Sequence, residues 1–203
     1  MEQHVINDIS LTARILGAAF YYPPAEKSDI VELLSHKNWV AEWPYGSDDE
    51  KQSIATLLSQ TSLNEETLTQ AYQRLFIGPY ALPAPPWGSV YLDNENVLFG
   101  NSTLDLREWM LEHGIDIALT QNEPEDHFGL IVMMVAWIAE TRPVKLNELL
   151  AEHLLPWAYR YLEKMSLQSA FPYYEGLAML ATLTLKNWQS QLNVTPVEKQ
   201  LFC

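Results

Sequence analysis

The stretch TQNEPEDHFGLIVMMVAW, residues 120–137, decides the fold, because from Phe128 to Ile138 eleven consecutive residues carry no charge. A helix built from that run is apolar on every side, which places it in the middle of a bundle rather than at its edge. Pro124 suits the first helical position, where its missing N–H would be unpaired anyway. That makes Glu123 the expected cap and puts Glu125 and Asp126 in the first turn, where the helix dipole favours negative charge. His127 fits this picture badly: a positive imidazolium is disfavoured at a helix N-terminus, and a neutral one gains little there.

Working outward, helical period dominates. Leu11, Ile15, Leu16, Ala19 and Tyr22 recur at three- and four-residue steps, with Asn7 or Asp8 able to cap the start and Pro23-Pro24 to stop it. Ser28 opens a second helix carrying Ile30, Leu33 and Leu34. Ser47 with Glu50, and Ser62 with Glu65, have the spacing that lets a hydroxyl and a carboxylate satisfy opposite N–H groups at a helix start. Gly78-Pro79 ends the helix that Ser62 would open. Another helix follows Ser102, with Leu106, Trp109 and Met110 on one face, and closes at His113-Gly114. VKLNELLAEHLL (144–155), PWAYRYLEKMSL (156–167) and YYEGLAMLATLTLKNWQSQL (173–192) supply the rest. A short extended piece around Val90 to Leu92 is the one strand-like feature. The expected fold is all-α: a compact multi-helix bundle, residues 1–203 as one domain, around a central apolar helix, with a C-terminal tail at 193–203.

The helical pattern breaks at residues 78–102, where four prolines after Gly78, then Gly88 and Gly100, forbid a regular helix. A loop of this length in a compact domain is usually functional or disordered. The apolar and aromatic content here (Tyr80, Leu82, Trp87, Val90, Tyr91, Phe99) argues for a packed, functional loop.

The bulk properties exclude several classes of function. At 203 residues the chain buries roughly two-thirds of its unfolded surface and needs no staple. Its 12 basic against 26 acidic side chains give a net charge of −14, which repels phosphates and attracts cations or basic peptides. Nucleic acid is therefore not an expected partner, nor is an anionic membrane. The apolar run at 128–138 is too short to span a bilayer, and MEQHVINDIS lacks the basic start and apolar run of a signal peptide. The single cysteine, Cys203, has no partner in the chain, which fits a reducing compartment. These features point to the cytoplasm.

The motifs exclude more. None of the five histidines follows a glutamate by three residues, as the helical di-iron pattern requires, and no H-E-x-x-H exists. Glu123 and His127 stand four apart but lack a third ligand, so no metal or cofactor is expected. The eight glycines never make G-x-G and no G-x-x-x-x-G-K occurs, which leaves a nucleotide without a recognisable seat. Asp126 and His127 could act as orienter and base for a nucleophile, but neighbours on a helix point about 100° apart, which makes a poor dyad. The alternative of a helical hydrolase or metal-assisted enzyme rests on that pair alone. A Tyr72, Leu75, Phe76 stripe leads into the proline-rich loop, and an acidic patch opens the central helix. An apolar groove bordered by carboxylates suits a peptide with an apolar face and a few arginines.

YQRLFIGPYALPAPPWGSVYLD (72–93), followed some thirty residues later by NEPEDHFGLIVMMVAW (122–137), joins an L-F-x-G-P and P-x-x-S-x-Y element to an E-P-x-D-H element before an apolar helix. Paired in this way, they resemble the TorD/DmsD family of redox-enzyme maturation chaperones, and the resemblance covers essentially the whole chain. It implies an all-helical protein that is not an enzyme. Such a protein binds the twin-arginine leader of a molybdenum-cofactor oxidoreductase subunit and holds the precursor back from export until the cofactor is in place. In the DmsD branch the client is the catalytic subunit of dimethyl sulfoxide reductase, with the export machinery as a further candidate partner. The resemblance assigns leader contact to Tyr72, Leu75, Phe76, Pro86, Trp87, Gly100, Pro124, Asp126 and His127. In the mechanism this suggests, the leader's apolar segment lies along Tyr72, Leu75, Phe76 and Trp87. Its arginines approach Asp126 and Glu123, and His127 fixes the Asp126 carboxylate or a leader carbonyl.

Overall fold

The computed structural model describes residues 2–95, 98–116 and 123–203. Thr120, Gln121 and Asn122 of the stretch quoted above, and Asn96 and Val97 of the proline-rich loop, lie outside the described residues. The chain runs through α1 (Gln3–Tyr21), α2 (Ser28–Ser35), α3 (Trp39–Glu42), α4 (Asp48–Leu58) and α5 (Leu68–Tyr72), which continues as a π turn at Gln73–Ile77. Next come α6 (Gly88–Leu92), α7 (Asn101–Glu112) and α8 (Phe128–Thr141). A 3-10 turn (Pro143–Lys145), α9 (Leu146–Glu148) and a second π segment (Leu149–Leu154) then lead into α10 (Leu155–Gln168), and α11 (Pro172–Gln191) closes the series. The fold is all-α. The sole sheet among the described residues is an antiparallel pair of two-residue strands, β1 (Ser62–Leu63) and β2 (Glu66–Thr67).

The α8 run buries Phe128, Leu130, Ile131, Val132, Met134, Val135 and Ile138, while Trp137 reaches the surface under the Arg142 guanidinium. Against it lies α1, and two glycines set how closely they approach. A Cβ on Gly17 would stand 2.8 Å from the Met133 backbone nitrogen, and one on Gly129 would stand 2.9 Å from the Gly17 carbonyl oxygen. Any side chain at either position would force the two backbones apart.

Four expected helix boundaries need correction. Helix α1 begins at Gln3 rather than behind Asn7 or Asp8, because Ile6 and Ile9 extend its apolar stripe and are buried. The Ser47–Glu50 capping box is formed, with both reciprocal hydrogen bonds. The Ser62–Glu65 pair is not: Asn64 takes a left-handed φ of 54° and turns the chain into the β1–β2 hairpin, so the box that opens α5 is Thr67–Gln70. Residues 90–92 are helical, within α6, rather than extended. Helix α8 starts at Phe128, four residues after Pro124, with His127 as its cap. Replacing Ser47 by alanine removes one formed box and should cost about 1 kcal/mol of stability in urea denaturation. A loss below a few tenths would show that the box contributes nothing.

Beyond α11 the tail, residues 194–203, runs extended over the bundle. The Val197 N–H donates to the Ala151 carbonyl at 2.9 Å and the Phe202 N–H to the Tyr91 carbonyl at 2.9 Å. No helix among the described residues is long and apolar enough to cross a membrane.

Candidate functional site

Two segments far apart in sequence are joined edge to edge. The Phe128 N–H donates to the Pro86 carbonyl at 2.7 Å and the Gly88 N–H to the Asp126 carbonyl at 3.1 Å, so Trp87 and His127 face each other as an isolated antiparallel bridge. Pro86 has no N–H to place, which leaves its carbonyl as its one backbone contribution to the pairing. The Asp126 side chain completes the seam. Its Oδ2 accepts from the Ser89 N–H at 2.6 Å, a donor in the first turn of α6 that no helical carbonyl can reach.

Asp126 is 3% exposed. Its Oδ1 and the hydroxyls of Ser89 and Thr103 are buried without a well-formed hydrogen bond. Burial pushes the carboxyl above its usual range, opposed mainly by the Ser89 N–H and by the hydroxyls of Ser89 and Thr103.

His127 resolves the misfit noted in the sequence. Its Nδ1 accepts from the Gly129 N–H at 3.1 Å, which makes the imidazole the N-cap of α8. An accepting nitrogen must be deprotonated, and burial pushes the His127 pKa down to about 3, so the ring is neutral at physiological pH. Of the two roles expected of His127, fixing the Asp126 carboxylate or a leader carbonyl, the first is corrected: His127 Nδ1 takes the Gly129 N–H and Asp126 Oδ2 takes the Ser89 N–H. Each side chain holds a different backbone N–H, and they form no acid–base dyad.

The cap carries a pH signature. Because the unfolded histidine binds a proton below about pH 6.5 and the folded one does not, stability rises with pH across the interval between the two pKa values and is lost as pH falls. Relative to His127→Asn, which can cap without titrating, the wild type should lose about 1 kcal/mol between pH 7 and pH 5.5. Parallel pH profiles of the two proteins in chemical denaturation would contradict a neutral buried cap.

Around this seam the aromatic rings connect. Trp87 is half-buried, and its Nε1 donates to Glu123 Oε1 at 2.5 Å. Its ring meets His127 edge-on at 6.1 Å, His127 meets Tyr21 at 5.3 Å, and Tyr21 meets Tyr22 at 4.9 Å. The Tyr72 hydroxyl donates to the Tyr21 carbonyl at 2.8 Å, and Tyr72 stacks on Phe76 at 4.9 Å. Trp87, Tyr21 and Tyr22 present surface to solvent, while Tyr72 and Phe76 are buried behind them. Leu75 is fully buried (0%), and Pro86 and Pro124 are also interior. Gly100 stands at the start of α7 against Asp93, where a Cβ would collide with the carboxylate.

The carboxylate beside Trp87 is therefore Glu123, half-buried and hydrogen-bonded to the indole. Burial and the neighbouring Asp126 push it upward, and the Trp87 hydrogen bond pulls it down. Glu125 is engaged by Arg107 at 2.7 Å, and the Arg107 guanidinium also lies over Phe99. Sequence reasoning missed Tyr21 and Tyr22, whose signal was present as two aromatics at a helix end before a proline pair. A concavity of about 1080 Å³ between α4, α10 and α11 contains none of these residues.

The chain is 49% identical to a Tat proofreading chaperone DmsD of Salmonella paratyphi A over 199 residues, 97% of this chain and 96% of that one. The chain belongs to the TorD/DmsD family of redox-enzyme maturation chaperones. A family model described as nitrate reductase delta subunit matches residues 41–163. The chaperone protein YcdY of Escherichia coli is 26% identical, covering 86% of this chain and 90% of YcdY. The crystal structure of a redox enzyme maturation protein from Archaeoglobus fulgidus superposes with a TM-score of 0.51 at 18% identity, covering 95% of this chain and 94% of that one; this similarity speaks for the fold alone. The curated relatives named above are chaperones, and this chain, a member of the same family, is not an enzyme.

Proposed function

We propose that the chain is a cytoplasmic chaperone that binds the twin-arginine leader of a molybdoenzyme catalytic subunit, that of dimethyl sulfoxide reductase. In this reading it holds the precursor until cofactor insertion and export. The observation that carries the reading is Trp87. It is a half-open indole fixed from below by His127, with its N–H anchored on the half-buried carboxylate of Glu123. An aromatic anchor beside an acceptor suits a peptide with an apolar segment next to arginines.

In this mechanism the leader's apolar residues lie on Trp87, Tyr21 and Tyr22, and an arginine pairs with Glu123. Tyr72, Leu75, Phe76, Pro86, Pro124, Asp126 and His127 act from behind by holding the ledge in shape, and Gly100 sets the start of α7. Sub-micromolar binding needs more than about 8 kcal/mol, which several apolar contacts and one or two charge-assisted hydrogen bonds supply after ordering costs.

Glu123→Gln tests the charged half. It should weaken a twin-arginine leader about fivefold more than a twin-lysine leader in calorimetry, because lysine cannot make the bidentate contact. Equal losses for the two leaders would remove Glu123 as the arginine acceptor.

A further inference from the structure

The turn from Glu123 to Asp126 carries three carboxylates beside the Trp87 segment, and a guanidinium pairs with any carboxylate it can reach. Their partners sort them. Asp126 is buried and its Oδ2 holds the Ser89 N–H. Glu123 accepts from a neutral donor, the Trp87 indole, and no cation balances it among the described residues. Glu125 has its own cation: Arg107, on α7, donates from Nε to Glu125 Oε2 at 2.7 Å.

Arg107 is held at two points. Its guanidinium carbon lies 5.2 Å from the centre of the Phe99 ring. Phe99 itself takes a left-handed φ of 59°, which a residue with a large side chain keeps only where its surroundings fix it. The Arg107 and Glu125 side chains are 37% and 18% exposed, so water and salt screen this pair less than a fully exposed one. A peptide arginine taking Glu125 would have to break both anchors and leave the Arg107 charge without its partner. At Glu123 it displaces no cation. The two carboxylates are nonetheless neighbours, because two residues of chain span at most about 7 Å, a distance that long glutamate and arginine side chains bridge. Without Arg107, Glu125 becomes a second acceptor.

We propose that Arg107 is a specificity-determining residue for the leader. By occupying Glu125 it leaves Glu123 as the single carboxylate open to a leader arginine, and so fixes the register in which the leader lies on Trp87, Tyr21 and Tyr22. The inference rests on the leader-binding reading and deepens it, from which acid takes the arginine to what makes that acid the choice.

The test titrates the full chain calorimetrically with twin-arginine and twin-lysine leaders and reads the ratio of the two affinities. In the wild-type background Glu123→Gln should lower that ratio about fivefold. In Arg107→Ala the freed Glu125 takes over the arginine, so adding Glu123→Gln should lower the ratio less than about twofold. Arg107→Ala combined with Glu125→Gln removes the substitute acceptor, and there Glu123→Gln should again cost about fivefold. A side chain that only supports the fold would weaken both leaders together and would not restore the dependence on Glu123. Arg107→Lys keeps the counter-ion and should behave as wild type. Thermal melts accompany each titration, and Arg107→Gln, which keeps part of the stem over Phe99, serves in place of alanine if alanine unfolds the chain. An effect of Glu123→Gln that persists at about threefold or more in Arg107→Ala would overturn the proposal and leave the leader reading standing. A ratio independent of Glu123 in the wild type would remove Glu123 as the acceptor and the role of Arg107 with it. A leader that does not bind the wild type at all would overturn the leader reading itself.

Discussion

Asp126→Ala is expected to lower folding stability by roughly 2–4 kcal/mol and, with it, leader binding. The carboxylate joins the segment before α8 to the first turn of α6, and it does so where water cannot replace it: Oδ2 holds the Ser89 N–H at 2.6 Å and the residue is 3% exposed. Alanine would strand that N–H, leave the Ser89 and Thr103 hydroxyls in an enlarged void, and loosen the Trp87–His127 bridge beside it. Asp126→Asn keeps an acceptor of the same shape and should cost about 1 kcal/mol or less. The sign of its pH dependence follows from the raised carboxyl pKa. The wild type's advantage over asparagine is fully present below the unfolded pKa and falls as pH rises through the folded one. Chemical denaturation of the three proteins decides the matter. An alanine cost under 1 kcal/mol would show that the seam does not depend on this side chain.

Trp87→Ala is expected to weaken leader binding by about 2–3 kcal/mol, roughly 30- to 150-fold, with the fold intact. The indole supplies an open apolar face of the ledge and orients the Glu123 carboxylate through its N–H. Its removal therefore withdraws contact area and frees the acceptor at once. Trp87→Phe keeps much of the area and loses the hydrogen bond, so it should fall between wild type and alanine. Calorimetry with a leader peptide, beside a thermal melt of each variant, separates binding from folding. Unchanged affinity in Trp87→Ala would take the loop out of the site.

The all-α fold could be read from sequence because its strongest signals are local. Eleven uncharged residues from Phe128 and the stripe on α1 do not depend on what they pack against. Helix starts were harder, because the same short-range chemistry fits more than one place. Ser62–Glu65 has capping-box spacing as good as Thr67–Gln70, and what decides between them is Asn64 turning left-handed into a hairpin. Pro124 suited a first helical position, yet the backbone from 124 to 127 forms a turn closed by the His127 N–H on the Pro124 carbonyl, because the Trp87 strand claims its edge.

The motif residues were visible in the sequence but their orientation was not. Asp126 and His127 look like a charged surface turn, and burial makes one the clamp on α6 and the other the neutral cap of α8. The separation that matters, 36 residues between Trp87 and Glu123, carries no periodic signal. Tyr21 and Tyr22 join the site from the first helix for the same reason.

The most direct test of the central claim is to place a photoactivatable benzophenone side chain in the apolar segment of a twin-arginine leader, cross-link it to the full chain and map the adducts. The account predicts adducts at Trp87 and the Tyr21-Tyr22 pair, abolished by competing unlabelled leader. Adducts confined to the apolar groove between α4, α10 and α11, at residues such as Leu167, Met179 and Leu183, would contradict it.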